Sequence, residues 1–114
     1  MTMEEVMSLI RVISGFSDEV IDYYYPLVEM YFSKYSYIEV QQSNRQRALL
    51  LVAARIYYEI SKIRVGSDIS SFKAGDISVS SNDNEVERAK GIYFSALENA
   101  ADLIEDVGFV FRSV

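Results

Sequence analysis

Residues 44 to 64 constrain this chain more than any other stretch. Leu49, Leu50, Val52, Ala53, Ile56, Tyr57, Ile60 and Ile63 recur at helical spacing and fill one broad side. A side that wide cannot face water, so the segment has to be the central helix of a core, with the rest of the chain supplying its cover. Ser43 and Gln46 form a capping box ahead of it, and Gly66 sits where a C-cap belongs. The helix is therefore expected from about Asn44 to Arg64. Arg47, Arg55 and Lys62 share its opposite side with Tyr58 and Glu59.

One proline and five glycines in 114 residues leave few breaks elsewhere. Thr2 and Glu5 make a second capping box, and Val6, Leu9, Ile10 and Ile13 give an apolar face to a first helix from about Met3 that Gly15 ends. Ser17 caps another, with Asp18 and Glu19 in the turn where the helix dipole favours carboxylates. On that second helix Asp18, Asp22, Glu29 and Ser33 fall within about 60° of arc, and the rest is apolar or aromatic. Pro26 either kinks it or starts a new segment. Its tyrosines are covered by other helices of the chain or meet a partner, since Tyr joins a large apolar area to a polar tip.

Residues 67 to 83 are rich in turn formers, yet Ile77-Ser78-Val79-Ser80 alternates with period two. We expect a long loop with a short strand or hairpin there. A last helix is expected from about Glu85 to Val107, capped by Asp83 or Asn84. Its apolar stripe is Val86, Ala89, Tyr93, Ala96, Leu97, Ala100, Leu103, Ile104 and Val107, and Gly108 stops it. The tail beyond it, from Phe109 and Phe111 to Val114, is expected to be extended. The fold class is all-α: one domain over residues 1–114, a small bundle of about four helices with that loop or short β-hairpin between the last two.

Several chemistries are excluded by what the chain lacks. It has no Cys and no His, hence no thiolate metal site, no cysteine nucleophile and no imidazole base. A di-iron bundle needs Glu-x-x-His ligands. Ser81 to Glu87 lacks the Gly and terminal Glu of a calcium loop, and Gly75 and Gly91 stand alone rather than in a phosphate-binding loop. The carboxylate pairs, such as Asp18 with Asp22, lie on faces expected to be solvated. No enzyme activity, cofactor or metal is expected. The longest apolar run, Ala48 to Ala54, is too short to cross a bilayer, and Glu4 and Glu5 stand where a signal peptide wants positive charge. No membrane partner and no secretion are expected.

The net charge of −6 is unevenly spread. Residues 1–39 hold seven acids against two bases, residues 40–73 two acids against six bases, and residues 74–114 eight acids against three bases. Asp102, Glu105 and Asp106 fall near the end of the last helix, where the dipole disfavours them. They are either a solvated face or the complement of a basic surface, the Arg47, Arg55, Lys62 side of another copy. The second reading gives a head-to-tail contact that closes into rings where the rotation allows. The basic third helix is also a candidate nucleic-acid reader, although a pI near 4.6 argues against tight duplex binding.

The order and spacing of these segments resemble the small head–tail connector (adaptor, or head-completion) proteins of tailed bacteriophages and prophages. Ser17-Asp18-Glu19-Val20-Ile21 opens an early helix. Ala48-Leu49-Leu50-Leu51-Val52-Ala53-Ala54-Arg55-Ile56-Tyr57-Tyr58 is similar to their central "LLLAAHLY"-type helix, with Arg55 where relatives often place His. Phe72-Lys73-Ala74-Gly75-Asp76-Ile77-Ser78-Val79-Ser80 is similar to their "S-x-x-x-G-D-V-S-V-S" segment. The resemblance covers most of the chain. It implies a helical subunit of a homo-oligomeric ring of about a dozen copies, made in the bacterial cytoplasm and placed at the virion head–tail junction. There it would dock on the portal protein, join the next connector or tail protein, and let DNA pass without reading its sequence. By position, the segment with Phe72, Asp76, Ile77 and Val79 and the tail with Phe109 and Phe111 would form the ring or dock on the portal. The alternative is a small helical DNA-binding or regulatory protein that reads with its third helix.

Overall fold

Thr2 opens the fold as the capping box requires. Its hydroxyl accepts from the Glu5 N–H at 3.2 Å, while Glu5 Oε1 accepts from the Thr2 N–H at 2.9 Å. Helix α1, Met3–Ser14, follows and ends at Gly15, whose φ of 78° lies in the left-handed region that a Cβ disfavours. Ser17 accepts from the Val20 N–H and starts α2, Asp18–Tyr23. One residue later comes α3, Tyr25–Lys34, with Pro26 in the first turn, where its missing N–H costs no helical hydrogen bond. Then come α4, Arg45–Ser71, and α5, Asp76–Asn99, with a single 3-10 turn, Ala101–Ile104. This computed structural model describes the backbone of residues 1–71 and 76–104 and the side chains of residues 1–65 and 84–104.

The middle of α4 is the centre of the molecule. Ala48, Leu51, Val52, Ala53, Ala54, Ile56, Tyr57 and Ile60 are fully buried, so the helix is covered nearly all round. It packs most extensively against α5, then against α1 and α3. Alanines are buried on both members of the first pair, Ala48, Ala53 and Ala54 on α4 and Ala89 and Ala96 on α5, and their small size lets two helices approach closely. Val6 and Ile10 of α1, Ile21 of α2 and Val28 of α3 complete the core with Phe16, Tyr35 and Ile38.

The all-α reading holds, and among the described residues there is no strand. Among the described residues five helices stand where about four were expected, because the chain breaks at Tyr24 just ahead of Pro26. Gly66 does not stop α4, which runs on to Ser71; a mid-helix glycine costs about 1 kcal/mol but does not by itself end a helix. Residues Ile77 to Ser80 lie in the first turns of α5 rather than in a strand. Four alternating residues without a partner strand leave their backbone groups unpaired, whereas a helix satisfies them locally. The helix also starts well before Asp83 and Asn84. Its α-helical part stops at Asn99 rather than Val107.

Ser43 and Gln46 do not form the expected box. Asn44 immediately precedes α4, and its carboxamide accepts from the Gln41 N–H (2.8 Å) and donates to the Glu39 carbonyl (3.1 Å), closing the preceding turn. Ile63, placed on the apolar side by its spacing, is 44% exposed. The expected tail from Phe109 lies outside the described residues.

Candidate functional site

Arg55 stands at the centre of an extended polar arrangement among the described residues. It projects from α4 into the angle between α3 and α5. Its Nε donates to Glu59 at 2.9 Å, one helical turn on, and one terminal nitrogen donates to both the Tyr35 and the Tyr93 hydroxyls at 3.1 Å. The guanidinium lies 4.8 Å from the Tyr31 ring centroid and 5.5 Å from that of Tyr93. The Arg55 and Glu59 side chains are only 20% and 18% exposed, so the pair is largely desolvated and every bond it makes counts for more than it would at the surface. Burial works against the charge on Arg55, but Tyr35 and Tyr93 outweigh it, so the guanidinium pKa lies above its ordinary value. Burial, reinforced by Tyr93 and opposed by Arg55, pushes the Tyr35 phenol far above its ordinary value.

This cluster is the middle of a longer strip. Lys34 lies over the Tyr31 ring at 5.7 Å, Lys62 over Tyr58 at 4.4 Å, and Lys90 over Phe94 at 5.7 Å. The rings of Tyr58, Tyr93 and Phe94 pack together at centroid separations of 5.7 to 6.4 Å. Glu59 ties the strip lengthwise, since it pairs with Lys62 at 3.2 Å as well as with Arg55. A cation–aromatic face thus runs across α3, α4 and α5, with Phe94 half exposed. Two of its four cations, Arg55 and Lys62, share the Glu59 carboxylate, and Glu87 and Glu98 sit one turn either side of the Lys90–Phe94 pair on α5.

The outward side of α2 and α3 has the opposite character. Glu19, Asp22 and Glu29 are exposed there beside Tyr23, Tyr25 and Met30, which are 78%, 39% and 53% exposed. Tyr23, Tyr24, Pro26, Leu27 and Met30 line a shallow, mostly apolar groove of about 340 Å³.

The residues singled out from sequence are distributed differently from the expected patches. Arg47 and Asp102 do meet, but within one chain: Arg47 donates to Asp102 Oδ1 at 2.6 Å, to Oδ2 at 3.3 Å and to the Asn99 carbonyl at 2.9 Å. Arg55 is spent on internal partners, and Lys62 alone of the three bases lies on the exposed strip. Side chains of Asp76, Ile77 and Val79, and Phe72, Glu105, Asp106, Phe109 and Phe111 altogether, lie outside the described residues. Sequence reading did not single out Tyr31, Lys34, Tyr35, Lys90 and Phe94 for this site, and it placed Tyr93 only on the apolar stripe of the last helix. A usable signal existed: Tyr31 with Lys34, Tyr58 with Lys62 and Lys90 with Phe94 are three cation–aromatic pairs at three- or four-residue spacing.

Each base of α4 with a described side chain is held by an acid of the same chain. Arg45 pairs with Glu5, Arg47 with Asp102, Arg55 and Lys62 with Glu59, and Arg64 with Glu85 at 3.8 Å. A phosphate would have to displace these carboxylates, which leaves the DNA-reading alternative without a free row of contacts. Among the described residues, no group of three or more acids could hold a metal ion, and no helix is long and apolar enough to cross a membrane. Compared with protein-family models, with curated proteins and with solved structures, the chain matches none.

Proposed function

We propose that this chain is a structural subunit of a tailed-phage or prophage head–tail connector. It assembles as a ring on the portal, extends the DNA channel and presents a surface for the next connector or tail protein. The observation that carries this reading is the ordered pattern of segments, above all Ala48 to Tyr58 and the Gly75-Asp76-Ile77-Ser78-Val79-Ser80 run. The helical architecture is of the kind that pattern implies, with the first of these segments at the buried centre of α4. A net charge of −6, with the described bases of α4 engaged by acids, suits a passage through which DNA slides rather than a clamp that grips it.

The C-terminal segment with Phe109 and Phe111 is the portal-docking element in this reading, because an apolar sequence of that kind suits a groove on a partner. The test is molar mass by size-exclusion chromatography with light scattering, over a range of protein concentration, with and without short duplex DNA. A species of about a dozen subunits, indifferent to DNA, is expected for a closed connector ring. A dimer whose mass shifts on adding DNA would contradict the reading.

A further inference from the structure

We propose that the cation–aromatic face on α3, α4 and α5 of one copy seats the acidic outer side of α2 and α3 of a second copy. The inference rests on the self-assembly in the connector reading and names the two surfaces that perform it.

The chemistry of the two faces is complementary. One offers the ammonium groups of Lys34 and Lys62 held over tyrosine rings, with Phe94 exposed beside them. The other offers Glu19, Asp22 and Glu29, none of which has an ion-pair partner among the described residues, interleaved with exposed Tyr23, Tyr25 and Met30. Each face combines charge of one sign with a large apolar area, the composition that gives an interface both steering and burial. Lys34 and Lys62 have limited freedom to lose, because ring contacts and Glu59 already hold them in place.

The two faces adjoin on α3, where Met30 and Lys34 lie one turn apart. Such a contact either runs head-to-tail from copy to copy, closing into a ring when the rotation allows, or is made reciprocally in a two-fold pair; the connector reading requires the first. Glu87 and Glu98 border the cation face on α5 and repel an acidic partner there, which directs the seat toward Lys34 and Lys62.

A charge swap tests this. Lys34→Glu/Lys62→Glu in one variant and Asp22→Lys/Glu29→Lys in another are each expected to weaken self-association at least about tenfold at low salt. All four substitutions together are expected to restore it. Circular dichroism melts establish that each variant folds. If the two double variants assemble as the wild type does, these surfaces are refuted while ring assembly stands. Loss of assembly in both without recovery in the fourfold variant refutes the pairing. A wild-type chain that stays monomeric at every concentration overturns both this inference and the self-assembling reading beneath it.

Discussion

Arg47 on α4 closes the end of α5: its guanidinium meets the Asn99 carbonyl and both oxygens of Asp102, across 52 and 55 residues of sequence. The last carbonyls of a helix carry partial negative charge and lack partners of their own. An acid placed just beyond them is unfavourable in isolation, and Arg47 supplies the cation that answers both. Hydrogen bonding from Arg47 accordingly holds the Asp102 carboxyl below its ordinary value of 3.8. A carboxylate with a lowered pKa contributes stability above its ordinary pKa, and that contribution is lost as pH falls through the lowered value. Arg47→Ala is expected to lower Tm by a few degrees at pH 7, and by less below pH 3. Thermal melts at both pH values check it.

The Arg55 cluster is expected to be far more sensitive. Arg55→Ala leaves Glu59 with Lys62 as its remaining cation and strips two phenols of their donor, at a cost of about 2–4 kcal/mol. Arg55→Lys retains charge but cannot fork between Glu59, Tyr35 and Tyr93, and should recover only part of that. Urea unfolding of the two variants gives the comparison. Arg55→Glu would unfold the chain rather than report on an interface.

Alkaline pH attacks the same core. Burial raises the pKa of Tyr35 and of Tyr57 above the ordinary 10.0, and Glu85 adds to the effect on Tyr57. For groups raised in the folded state, the stabilisation is complete below the unfolded value and disappears as pH climbs past it. Stability should therefore be flat from neutral pH to about 9 and fall steeply above 10. Tyr35→Phe, which cannot ionise, should flatten that fall even if it lowers stability at pH 7. Denaturant midpoints measured from pH 7 to 11 decide it.

Gly91 is an unused opportunity for stabilisation. It lies exposed within α5, and a Cβ added there meets nothing within 4 Å. Gly91→Ala should stabilise the protein by about 0.5–1 kcal/mol by removing backbone freedom from the unfolded chain. Gly15→Ala should do the reverse, because its φ of 78° strains any side chain. The two melts, run side by side, separate glycine chemistry from position.

What could be read in advance was local. Thr2 with Glu5, Ser17 as a cap, and the interruption at Pro26 act within a few residues, so spacing alone exposes them. Val52, Ala53, Ile56, Tyr57 and Ile60 of the α4 stripe were equally legible, whereas Ala48, Leu51 and Ala54 fell outside it, because a helix covered nearly all round buries more than one face. The ends of α4 and α5 were not, because a glycine or a short alternation is a weak signal once neighbouring helices can satisfy the backbone. The Arg55 cluster joins residues 20 and 38 positions apart, and the Arg47 closure spans 55. No periodicity links positions so distant. The sequence therefore presented Arg47, Arg55 and Lys62 as one basic side, whereas packing gives them separate tasks: closing a helix end, holding the core, and facing outward.

The most direct test of the connector account is negative-stain electron microscopy of the wild-type protein at the highest concentration it tolerates. The account predicts closed annular particles with an open centre and head-to-tail subunits, about a dozen to a ring. Compact two-fold dimers, seen with or without duplex DNA, would contradict it.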